Sequence, residues 1–145
     1  MIKITDIYAS VSNLLKGEYG YKIYGNEVLE GYKNPSFFVQ LLPSGIRNAS
    51  TNFHEESYSI VITYFQAKPD SLDNYKKIDR IRELFGQKLQ IGTRLVNVTE
   101  YDFDFVGDNK NVLQITVEIE FLNGIRKIDT NPQAGELSIK KEMRD

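Results

Sequence analysis

From Leu113 to Phe121 the apolar residues occupy every odd position: Leu113, Ile115, Val117, Ile119 and Phe121, with Gln114, Thr116, Glu118 and Glu120 between them. An unbroken period of two belongs to a β-strand with one buried face, since a one-residue slip would turn every apolar side chain to water. Such a strand needs a partner and a layer to cover it. Upstream, Leu95 to Phe105 places Leu95, Tyr101, Phe103 and Phe105 on odd positions, and Gly107, Asp108, Asn109 and Lys110 supply the turn between the two runs. If Phe105 faces Leu113, then Glu100 faces Glu118 and Asp102 faces Thr116. Glu100, Asp102, Asp104, Glu118 and Glu120 then share the face opposite the apolar one.

The covering layer is predicted from two amphipathic segments. After Thr5, a candidate N-cap, Ile7, Tyr8, Val11, Leu14 and Leu15 recur at helical spacing with Ile4, and Gly17 is the expected stop. After Pro69 and Asp70, the residues Leu72, Tyr75, Ile78, Ile81, Phe85 and Leu89 form an apolar stripe. Lys76, Lys77, Arg80 and Glu83 fall on its solvent side. Three further strands are read at Tyr21 to Tyr24, at Phe37 to Leu42 between Pro35 and Pro43, and at Tyr58 to Phe65, rich in β-branched and aromatic residues. The strand at Phe37 to Leu42 is expected to be buried on both faces. Residues 43–56 form a long polar connection, read as an arm reaching outside the domain, with a merely floppy loop as the alternative. After Asn123 the pattern dissolves; 124–145 reads as an extension that orders on a partner. The expectation is one α+β domain over 1–123, with a mostly antiparallel or mixed sheet of about four to five strands packed against two helices.

Composition removes chemistry. The chain has no cysteine and one histidine among 145 residues, so thiolate metal sites, a cysteine nucleophile and multi-histidine centres have no material. A formal net charge of −2 gives no basic signal for nucleic acid. No run approaches the roughly 20 apolar residues that span a bilayer. His54, beside Glu55 and Glu56, lacks a serine elbow or metal partner and reads as an exposed loop residue. The five strand carboxylates match no metal motif, yet like charges directly opposite one another cost stability. No phosphate loop or dinucleotide fingerprint occurs. No cofactor is expected, and neither is enzymatic activity.

The order of elements resembles the tail terminator (tail completion) proteins of long-tailed phages and of phage-tail-like bacteriocins of Gram-positive bacteria. The resemblance spans most of 1–123. It rests on Ile4-Thr5-Asp6-Ile7, Ile23-Tyr24-Gly25-Asn26-Glu27, Pro35-Ser36-Phe37-Phe38-Val39-Gln40-Leu41-Leu42-Pro43 and Tyr58-Ser59-Ile60-Val61-Ile62-Thr63-Tyr64-Phe65, with the closing Tyr101-Asp102-Phe103 and Val117 to Phe121.

The resemblance implies a homohexameric ring on the last ring of tail-tube subunits, stopping tube growth and offering a surface to the head-to-tail connector. In contractile tails it also implies anchoring of the sheath. It implies a place in the virion or tail-like particle, after assembly in the host cytoplasm. On this reading Arg47, Asn48, Phe53 and His54 in the arm and Ile128, Leu137 and Ile139 in the extension are the expected contacts. The acidic face would line a lumen through which DNA passes without specific binding. Two alternatives are a head-to-tail connector or neck protein, and a metal-dependent hydrolase using the acidic hairpin, which predicts loss of activity on Asp102→Ala.

Overall fold

In the structure, a computed structural model that describes residues 1–25 and 30–124, the second strand of the closing hairpin lies at the centre of a larger sheet. Six strands, β1 (Lys22–Tyr24), β2 (Ser36–Asn48), β3 (Phe53–Phe65), β4 (Lys88–Ile91), β5 (Arg94–Val106) and β6 (Val112–Gly124), lie in the order β1-β2-β3-β6-β5-β4. β1 runs parallel to β2 and every other pair is antiparallel. The sheet curls around two helices, α1 (Ile4–Tyr19) and α2 (Ser71–Phe85), giving a single α+β domain. One more strand is present than the four to five expected. The extra strand is β4, which the apolar periodicity of α2 had absorbed through Leu89. Gly86, with a φ of 62°, ends the helix and sends Leu89 into the sheet.

The odd positions of β6 are all buried, and Ile60, Ile62, Val117 and Ile115 pair across the β3–β6 ladder. Phe37 and Val39 extend this floor, and Ile7, Val11 and Leu15 of α1 with Ile81 and Phe85 of α2 close it from above. Residues 100–105 pair with 118–113 in the register that the turn predicts. Leu95 corrects the odd-position reading: it is exposed, while Val96 is buried. A register shift between Val98 and Glu100 inserts one residue, so the inward parity changes from even to odd along β5.

Both helices depart from their expected frames. Lys3, and not Thr5, is the N-cap of α1, and its backbone N–H donates to Asp6 at 2.9 Å. α1 runs through Gly17 and stops at Gly20, whose φ of 72° is the left-handed conformation that glycine adopts without strain. A mid-helix glycine costs only about 1 kcal/mol, which the buried turn around Leu15 outweighs.

In α2, Leu72 and Tyr75 are exposed and Lys77 is buried. The Lys77 ammonium sits 2.8 Å from Asp73 and 4.7 and 4.9 Å from the rings of Tyr64 and Tyr19, so its charge is compensated inside the fold. Burial pushes the Asp73 carboxyl up. Hydrogen bonds from Lys77, Tyr64 and Gln66 outweigh that and hold it down at about 2.

The polar connection is also corrected. Residues 43–56 are not a free arm, because β2 and β3 stay paired out to Arg47↔Glu55 and Asn48↔His54, leaving 49–52 as the turn. Pro43, expected to end its strand, lies within β2 at a register shift between Pro43 and Gly45. Proline tolerates this site because β2 has a ladder partner there on one side only, among the described residues. The strand is two-sided only at its start, where Phe38 packs beside Tyr24, Tyr32 and Phe65; from Gln40 one face is open.

At the far end of β6, Asn123 is fully buried and ties the N-terminus to the sheet. Its amide donates to the Ile2 carbonyl at 2.9 Å and to Glu56 at 2.6 Å, and its oxygen accepts from the Ile2 N–H at 2.9 Å. Tyr58 donates to the same Glu56 at 2.8 Å; burial first, then this bond, pushes its hydroxyl up to about 12.

Candidate functional site

Three surfaces of this fold have the exposure and chemistry to meet other molecules. The first is the helix-free face of the sheet. Glu100, Asp102 and Asp104 are exposed on β5, and Glu118 and Glu120 are half-buried beside them on β6. Glu100 lies directly opposite Glu118. Ser59 donates to Glu118 at 2.7 Å, and Gln114 donates to Thr63 at 3.2 Å, so the surroundings are hydroxyls and amides. This alternation leaves all five sequence-selected carboxylates on one face. Among the described residues no three His, Asp or Glu side chains converge to hold a metal ion.

The second surface is the end of the β2–β3 hairpin. Arg47 Nε donates to Glu55 at 2.9 Å, and that bond, with the Glu55 charge, raises the guanidinium further into its charged range. His54 Nδ1 lies 2.9 Å from Asn48 Oδ1. Glu55 and Glu56, its sequence neighbours, are engaged elsewhere by Arg47, Tyr58 and Asn123, which leaves no acid–base pair around this histidine. Phe53 is exposed and pairs with Gly124. The structure thus gathers Arg47, Asn48, Phe53 and His54 at one end. Ile128, Leu137 and Ile139 lie outside the described residues, as do Asn26 and Glu27.

The third surface is a pair of open strand edges, a kind of contact expected from a small sheet but not located in the sequence. Among the described residues, β1 pairs with β2 from Ser36 to Phe38, and β4 pairs with β5 from Arg94 to Asn97. Among the described residues, β2 from Gln40 and β5 from Glu100 have a ladder partner on one side only. Beside the β5 edge runs a polar groove of about 1060 Å³ lined by Arg82, Glu83, Lys88, Thr99 and Tyr101, where the Tyr101 hydroxyl donates to the Gly86 carbonyl at 2.6 Å. Pro43 within an apolar run was the available signal for an edge strand.

A family model described as "Phage tail terminator protein" matches residues 6–132. The chain belongs to this family. Its role is therefore that of a structural phage tail component, and the family implies a non-enzymatic protein that interacts with other parts of the tail. No curated protein matches the chain. One of the matching solved structures aligns with a TM-score of 0.46 and 12% identity, covering 89% of this chain and 100% of that one. Among the described residues no helix is long and apolar enough to cross a membrane.

Proposed function

We propose that this terminator caps the tail tube as a homohexameric ring, stops tube growth and presents the joining surface to the head-to-tail connector. The observation that carries the reading beyond the family is the placement of the open edges on β2 and β5, on opposite sides of one sheet. A ring needs a heterologous contact, one surface meeting a different one on the next copy, and two unlike edges supply it. The hairpin end, with Arg47, Asn48, Phe53 and His54, reaches the tube or the adjoining copy. The extension carrying Ile128, Leu137 and Ile139 makes further contacts, including with sheath where the tail is contractile.

The acidic face lines the lumen in this reading. Paired Glu100 and Glu118 weaken the sheet. A surface that repels phosphate within a Debye length of about 8 Å gives that cost a purpose, because DNA passes without adhering.

The test is negative-stain imaging of the purified protein with its cognate tail tubes, with light-scattering mass on the protein alone. Six-fold rings, or a cap on one end of tubes of arrested length, are expected. A protein that ignores tubes refutes the reading. Neutralising Glu100, Asp102 and Glu118 together is expected to impair DNA passage and spare ring formation; loss of the ring would make that face an interface instead.

A further inference from the structure

We propose that the cleft between the first turn of α2 and the β5–β6 turn takes a carboxamide: an asparagine or glutamine side chain of the protein that joins the terminator on the head side. This deepens the ring reading above and rests on it for the partner, though not for the chemistry of the cleft. The cleft holds about 360 Å³, and every residue lining it belongs to the described chain. Its place follows from β6, which runs 13 residues from Val112, beside the β5–β6 turn, to Gly124 at the hairpin end. At about 3.3 Å per residue the two ends lie about 40 Å apart. With the hairpin end toward the tube, the cleft falls on the opposite side of the ring.

Asn74 of α2 is the most buried residue of the cleft. It is 3% exposed, and its amide nitrogen donates to the Asn111 carbonyl at 3.2 Å. That bond sets how the amide is turned, since an oxygen in the same place would repel the carbonyl. The Asn74 side-chain oxygen is left without a hydrogen-bond partner among the described residues. A buried acceptor without a donor costs stability. The oxygen is closed to bulk water, and Tyr75, 54% exposed and edge-on to Phe105 at 6.5 Å, forms the lip of the cleft. A group that parts this lip and carries an N–H supplies the missing donor.

The charges around the cleft decide the class of that group. Asp70 accepts the N–H groups of Leu72 and Asp73 at 3.1 and 3.4 Å, so the start of α2 is already capped by a carboxylate. An incoming carboxylate gains little from the helix and is repelled by Asp70. Lys110, from the β5–β6 turn, repels an ammonium or a guanidinium. One negative and one positive charge leave the cleft neutral, and a neutral polar group suits it. A carboxamide offers its N–H to Asn74 and, in the same plane, a carbonyl that accepts from Lys110 or Ser71. Lys110 has a φ of 51°, in the left-handed region that favours glycine, yet the chain places an ammonium there.

The test has two arms. Titrating the full chain with acetamide, followed by NMR, is expected to shift the Asn74 side-chain amide and the Ser71 and Lys110 backbone signals saturably. Half-saturation is expected at about 10–100 mM, the range open to so small a ligand. Acetate and methylguanidinium at equal concentration are expected to leave these signals in place. Stronger shifts from either, or no saturable shift from acetamide, overturn the proposal. In the second arm, Lys110→Gly is expected to fold normally, because relief of the positive φ offsets the added freedom of glycine in the unfolded chain. This variant and Tyr75→Ser are expected to cap tail tubes as the wild type does and to lower the number of tails joined to heads at least tenfold in negative stain. Normal joining by both variants, or loss of capping, overturns the head-side partner. Wild-type protein that never caps tubes overturns the ring reading and this partner with it, while the acetamide titration, which needs no ring, still decides the cleft.

Discussion

Asn123 is where the closing strand, the N-terminus and the buried carboxylate of Glu56 meet, and replacing it with leucine isolates what that junction contributes. Leucine keeps the branched four-heavy-atom skeleton of asparagine but is bulkier, so the hydrogen bonds lost set the minimum cost at this fully buried site. The substitution removes two neutral bonds to Ile2, at 2.9 Å each, one charge-assisted bond to Glu56 at 2.6 Å, and a longer 3.2 Å bond from the partly exposed Arg94, which water can replace and which adds little. Taking about 1 kcal/mol for each neutral bond and about 2 kcal/mol for the charged one gives a loss of about 4 kcal/mol. The unmet groups are buried, with Ile2 5% and Glu56 4% exposed, so water does not readily replace the amide. Against a domain stability of about 5–15 kcal/mol this is a large fraction. In urea unfolding with a slope of about 2 kcal/mol/M, the midpoint is expected to fall by about 2 M. Leu122→Ser, one residue earlier and 47% exposed, is the control and is expected to shift stability by less than about 0.5 kcal/mol. A midpoint shift under about 0.5 M for Asn123→Leu would refute the reasoning, because the Ile2 and Glu56 groups would then be finding water, and the N-terminus would not be fastened at this point.

Glu100→Gln relieves the direct opposition to Glu118 and is expected to raise the melting temperature by about 1–2 °C, from roughly 0.5 kcal/mol of repulsion removed. The gain should vanish in 1 M salt, and a loss of stability would contradict it. Asp73 is held at about 2 against an ordinary value of 3.8, so its stabilisation is full above about pH 4 and is lost as the pH falls through about 2. With the side chain 30% exposed that part is about 1 kcal/mol, and acid titration of Asp73→Asn by circular dichroism should lack it. Removing 125–145 is expected to leave a cooperatively folding domain with weaker partner binding. A chain that no longer folds would show that those residues belong to the core.

The sequence was informative wherever burial imposes a short period. The alternation of Leu113 to Phe121 led to a one-sided strand, its partner, and the opposition of Glu100 to Glu118. The same reading erred where one residue or one ion pair changes the frame. The shift near Val98 moved Leu95 out of the core. The Asp73 carboxylate and the tyrosine rings made a buried position acceptable to Lys77, which helical periodicity assigns to water. Polarity made 43–56 look like a loop, although a hairpin needs only ladder partners and not an apolar face.

Side-chain chemistry along the chain was therefore enough to determine the α+β class, the acidic face and the want of material for thiolate or multi-histidine centres, because these depend on residue identity and local period. The open edges of β2 and β5, the gathering of Arg47, Asn48, Phe53 and His54 at one end, and the clamp of Asn123 on Ile2 were decided only by the tertiary structure. They depend on where neighbouring strands stop, and on contacts between residues more than a hundred positions apart in the chain, as in the Ile2–Asn123 pair.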